Sequence, residues 1–194
     1  MRGKAAIGFR SKTGRAIAVA LAGPLNAPEL VWRREIPLFD PQAPGTAEPY
    51  HQVMELPWNE AIDAVRPLVA QVESVARSEV AALVQELAGQ GWQVCGAGVV
   101  GSADRSLQKI GNYHIRAHAA EGILFRRVLE EAARDCHLSV VGLAEKQLGP
   151  ATKATLDGVA DVPARLKMLG IEAGPPWRLD EKAAATVAWL ALLD

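Results

Sequence analysis

His114, His118 and Glu121 stand at i, i+4 and i+7, a spacing that lays all three on one face of a helix. Two imidazoles and a carboxylate so placed can hold a transition metal. A zinc site of this type calls for one more ligand, which the sequence does not place. The alternative is a solvated polar face, with Leu124, Phe125 and Val128 supplying the apolar stripe. A histidine there can also move a proton or touch a phosphate. Basic residues gather in two places. Arg105, Lys109, Arg116, Arg126 and Arg127 lie within 101–127 against Asp104 and Glu121, and Arg10, Lys12 and Arg15 lie in an early turn. The two sets can flank one cleft and form a modest phosphate-binding surface; scattered surface charge is the competing reading. Glu145, with Lys146 beside it, ends a short apolar run, where open α/β sheets bind ligands. Gly96, Gly98 and Gly101 are spaced like a dinucleotide loop. They lie within and just after a strand, with no acidic residue suitably placed downstream, so close packing of strand on helix explains them better.

The chain that must position these residues has 194 residues, 49% of them apolar and 22% charged. That is a globular composition and excludes a disordered one; the length suits one domain, residues 1–194. With 21 basic and 22 acidic residues the net charge is -1, so nothing draws the whole molecule to nucleic acid and binding would need a local basic patch. Cys95 and Cys136 lack metal-ligand spacing and read as reduced thiols of a cytoplasmic protein. No run approaches the roughly 18 apolar residues of a membrane span, so no membrane partner is expected.

Period changes along the chain mark the elements. Residues 5–9, 15–22 and 29–38 read as strands joined by short turns at Gly14 and at Gly23-Pro24, an antiparallel meander. A loop over 39–57 carries Pro41, Pro44, Pro49 and Pro57. Its aromatic residues Phe39 and Tyr50, with Trp58 just beyond, can dock a protein partner or a second copy, giving a homodimer. From Asn59 apolar residues recur at three and four, through Ile62, Val65, Val72, Ala76, Val80, Leu83 and Leu87, predicting a long helix that ends at Gly89-Gln90-Gly91. Pro67 should kink that helix or mark its first turn. Then follow a strand over 92–100, a helix over 114–135, a strand over 137–143, a helical segment near 151–169 and a last helix over 179–193. Meander followed by crossover helices predicts an α/β fold: a five-stranded mixed sheet with helices on both faces.

Three segments at this order and spacing carry a resemblance. They are Ala5-Ala6-Ile7-Gly8-Phe9-Arg10-Ser11-Lys12-Thr13-Gly14-Arg15-Ala16-Ile17, then Val140-Val141-Gly142-Leu143-Ala144-Glu145-Lys146-Gln147-Leu148 with Thr152, and Leu179-Asp180-Glu181-Lys182 with the small residues that follow. Together they resemble the ribonuclease H-like superfamily. Within it the chain looks most like the RuvC Holliday-junction resolvases and the related resolvase-like proteins that process ribosomal-RNA precursors. The resemblance implies a nucleic-acid-binding domain, with DNA or RNA as partner. It also implies, if the chain is active, a nuclease whose clustered carboxylates hold divalent Mg or Mn. Glu145, Asp180, Glu181 and Asp104 are the acidic residues that match, and Arg10, Lys12, Arg105, Lys109, Arg116 and Lys146 are the candidate nucleic-acid contacts. The family's carboxylate in the first strand falls at or beside Gly8, and residues 1–28 hold no Asp or Glu. Binding with degenerate or absent cleavage is therefore the expected function. The alternatives are a silent protein-interaction domain and a metal-assisted hydrolase using His114, His118 and Glu121. Two local explanations compete for the acids: Asp104 can bond its own turn, and Asp180 and Glu181 can cap their helix.

Overall fold

A computed structural model describes residues 2–193. Strands β1 (Gly3–Lys12), β2 (Arg15–Ala22) and β3 (Glu29–Pro37) form the meander. Helix α1 (Trp58–Gly89) crosses to β4 (Trp92–Gly101), α2 (Tyr113–Asp135) crosses to β5 (Ser139–Ala144), and α3 (Glu145–Leu156), α4 (Val162–Ala173) and α5 (Leu179–Ala191) follow. The sheet order is β3-β2-β1-β4-β5. Strand β1 pairs antiparallel with β2 and parallel with β4, which is itself parallel to β5. This is the expected five-stranded mixed sheet. No described helix is long and apolar enough to cross a membrane.

Both faces of the sheet are covered, which is why β1 and β2 read as unbroken apolar runs rather than as alternating ones. Ile7, Phe9, Ala16, Ala18, Ala20, Ala97 and Val99 pack under Val72, Ala76 and Val80 of α1 and Phe125 and Leu129 of α2. Ile17, Val19 and Leu21 face the other way, against Ala184, Ala185, Ala188 and Trp189 of α5. On that second face β1 and β4 present glycines. A Cβ on Gly8 would lie 1.9 Å from the Ala184 carbonyl oxygen, and one on Gly98 2.2 Å from that of Val187. Gly8 and Gly98 are register partners, so together they form a groove into which the small-residue stripe of α5 settles. The Gly96–Gly101 spacing is thus explained by packing: Gly96 and Gly98 lie against α5, and Gly101 lies against Ser11 and Arg126.

The helices differ from the sequence reading in three respects. Helix α1 starts at Trp58, and Pro67 lies inside it on the exposed side, where it marks no first turn. Ile62 is exposed, and Ala61 takes its place in the buried stripe. The segment near 151–169 is two helices. Gly158 adopts φ 74°, and Asp161 caps α4 by accepting from the Ala164 N–H at 3.0 Å, with a proline in the first turn; together these break the chain. The first of the two, α3, begins directly at Glu145, the residue after the end of β5.

Candidate functional site

The carboxyl end of β1 delivers Arg10, the start of α3 delivers Glu145 and the first turn of α5 delivers Asp180. They meet. The Arg10 guanidinium lies 2.9 Å from Glu145 and 3.2 Å from Asp180, and Lys12 lies 3.1 Å from the same Asp180 oxygen. Arg10 is largely buried, whereas Glu145 is exposed. The group lines a cleft of ≈ 460 Å³ with Lys182, Leu179 and Thr186. Burial raises the Asp180 carboxyl, but Lys12 and Arg10 outweigh it and hold the group below its ordinary value. Glu181 is turned away. It is buried, and its carboxylate accepts from the Arg178 N–H at 2.7 Å, which makes it the cap of α5.

A pair of hard cations needs several carboxylate oxygens converging on it. Here two carboxylates are already matched by two cations of the chain, and Gly8, at or beside which the resemblance puts the first-strand carboxylate, has no room for a side chain. These residues do not fit a carboxylate cage for Mg or Mn.

The remaining candidates are dispersed around this rim. Asp104 is engaged by Arg126 at 2.7 Å and by Arg127 at 2.8 Å, and Arg126 also bonds Glu130 at 2.7 Å. Burial raises the Asp104 carboxyl, yet the arginines win and lower it. Asp104 and Lys146 line a second hollow of ≈ 280 Å³ with Arg126 and Gln147, so Lys146 points away from the Arg10 cleft. Arg116 is buried, its guanidinium 5.1 Å from the ring centres of both Trp58 and Tyr113; it fastens α1 to α2. Trp58 also stacks on Tyr50, at 6.0 Å between ring centres, so two of the loop aromatics are engaged with each other. Arg15 pairs with Glu35. Among the described residues, Arg105, Lys109, Lys146 and Lys182 have no carboxylate partner, and all four are exposed.

The histidine face of α2 is more elaborate than the sequence implied. His114 and His118 are exposed, with their Nε2 atoms 3.1 Å apart. The proline-rich loop brings His51 onto them, its ring centre 5.0 Å from that of His114 and 4.5 Å from that of His118. Three of the four histidines in the chain thus form one cluster. Glu121 is fully buried and stands behind His51. Its Oε1 accepts from the His51 N–H at 3.2 Å and lies 2.8 Å from His51 Nδ1, and its Oε2 has no partner among the described residues. Burial pushes the Glu121 carboxyl up, and the His51 hydrogen bond only partly offsets this. Sequence spacing located His114, His118 and Glu121 but missed His51, because nothing local in a proline-rich loop signals where the loop will land.

No protein-family model and no curated protein matches the chain. Solved structures do. The Thermus thermophilus RuvC in complex with Holliday junction substrate aligns over 96% of this chain and 90% of its own, at 11% identity and a TM-score of 0.51. A second Thermus thermophilus RuvC structure aligns over 95% and 91% at 10% identity, with a TM-score of 0.49. An Aquifex aeolicus member of the Ppx/GppA family covers 79% of this chain and 39% of its own, at 10% identity and a TM-score of 0.38. The chain has a ribonuclease H-like fold of the RuvC type.

Proposed function

We propose that this is a nucleic-acid-binding domain that engages phosphate backbones at the carboxyl end of its sheet and does not cut them with clustered carboxylates. The carrying observation is Arg10, which bridges Glu145 and Asp180 in the cleft where a carboxylate cage would need those oxygens free. A guanidinium there is a fixed, always-charged substitute for a cation. It is suited to holding the rim together and to facing a phosphate, and it cannot activate a water. Exposed Arg105, Lys109, Lys146 and Lys182 supply the local basic surface that a near-neutral chain requires. The fold neighbour was solved on a Holliday junction substrate, which makes a four-way junction the first ligand to try.

The test incubates the protein with labelled four-way DNA junctions and with structured RNA, in manganese and in chelator, across a salt series. The reading requires binding that weakens steeply with salt, is indifferent to chelator and leaves the strands intact. Manganese-dependent cleavage abolished by Glu145→Gln would instead establish a working carboxylate site. No binding to either ligand would move the assignment to a protein-interaction domain.

A further inference from the structure

We propose that His51, His114 and His118 bind one zinc ion and thereby fasten the proline-rich loop to α2. One donor nitrogen from each ring lies within 4.8 Å of the others. The 3.1 Å between His114 Nε2 and His118 Nε2 is close to the roughly 3.4 Å expected between two nitrogens bound at about 2.1 Å to a tetrahedral zinc. Without metal, two imidazole nitrogens at that distance can share only one proton, so one ring donates and the other accepts. A metal ion replaces that proton and takes both lone pairs at once.

The carboxylate behind His51 is the second, independent observation. Histidine ligands characteristically give their other ring nitrogen to a carboxylate, which fixes the tautomer and the ring plane and makes the ligand nitrogen more basic. Glu121 occupies that position: fully buried, 2.8 Å from His51 Nδ1 and also holding the His51 backbone N–H. With Nδ1 committed, Nε2 is the nitrogen His51 has left to give. A buried carboxylate with one oxygen unpartnered is hard to explain by stability alone. As the orienting group of a metal ligand it has a role.

Donor chemistry selects the ion. Three neutral imidazoles with no carboxylate in direct reach suit zinc and its neighbours among the transition metals, and do not suit Mg or Mn. His114 and His118 are exposed while His51 is largely buried, so the fourth position opens to solvent, as in zinc sites with three protein ligands and one exchangeable one. The site belongs to the same end of the molecule as the Arg10 cleft. Helix α2 begins where the chain leaves the carboxyl end of β4, and the loop is anchored there by the Leu38 N–H donating to the Gly14 carbonyl at 2.9 Å.

The test uses the full chain, stripped with chelator and dialysed. Zinc binding is measured by calorimetry, and cobalt substitution reports geometry through its visible absorption. The expected result is one ion per chain and the intense cobalt bands of a four-coordinate site, which shift when azide enters the open position. His51→Ala and the double variant His114→Ala/His118→Ala should abolish binding, and Glu121→Gln should weaken it about 10- to 100-fold. His114 and His118 are exposed, so the double variant should keep the wild-type circular dichroism and serves as the folded control. Absence of zinc uptake, or equal uptake by the double variant, would overturn the proposal.

Discussion

At the scale of single residues, the chemistry of this chain is decided by partners far away in sequence. Arg10 and Asp180 are 170 positions apart, and composition and spacing could name both without joining them. Arg10 therefore read as a phosphate contact, when its first engagement is with two carboxylates of its own chain. Glu121 is the converse case. The helical period put it on the face of His114 and His118, and burial then set it behind a fourth residue that no local pattern announces. The acids that are paired carry a consequence with pH. Asp180 and Asp104 are both held below the ordinary carboxylate value by neighbouring cations that outweigh their burial. A group whose folded pKa is depressed contributes stability above its unfolded value, near 4, and loses that contribution as pH falls through the folded one. Melting temperatures of the wild type and of Asp180→Asn should thus differ most at about pH 6 and converge towards about pH 3. A gap that is unchanged over that range would mean the pairing contributes nothing to folding.

At the scale of elements, helix α5 and the glycines beneath it form the tightest contact in the second layer. The order of elements was legible because the sequence changes period wherever a strand gives way to a helix. The glycines of β4 were legible as close-packing material, but not the small residues of Leu179–Ala191 as what they pack against. Where one predicted helix proved to be two, the break was set by Gly158 and by the Asp161 cap, single residues whose turn chemistry a periodicity argument passes over. The groove makes a sharp prediction. In Gly98→Ala the added methyl meets the Val187 backbone at 2.2 Å, so α5 must lift. The expected loss is about 3 kcal/mol or more in urea denaturation, at or beyond the upper end for overpacking.

At the scale of the whole molecule, a net charge of -1 means that affinity for a polyanion must come from a rim and not from the body of the protein. If that rim is Arg105, Lys109 and Lys146, neutralising all three should lower the slope of log affinity against log salt by about 2–3, near 0.9 per lost phosphate contact. An unchanged slope would place the contact surface elsewhere on the molecule. The groove also constrains the history open to such a chain. Converting a glycine codon to one for aspartate or glutamate takes a single base change, and at most surface glycines the protein would tolerate it. At Gly8 the first carbon of any side chain would stand 1.9 Å from the backbone of α5. A chain whose last helix is settled against the sheet cannot gain an acid at that position by one mutation, since the helix would have to move first.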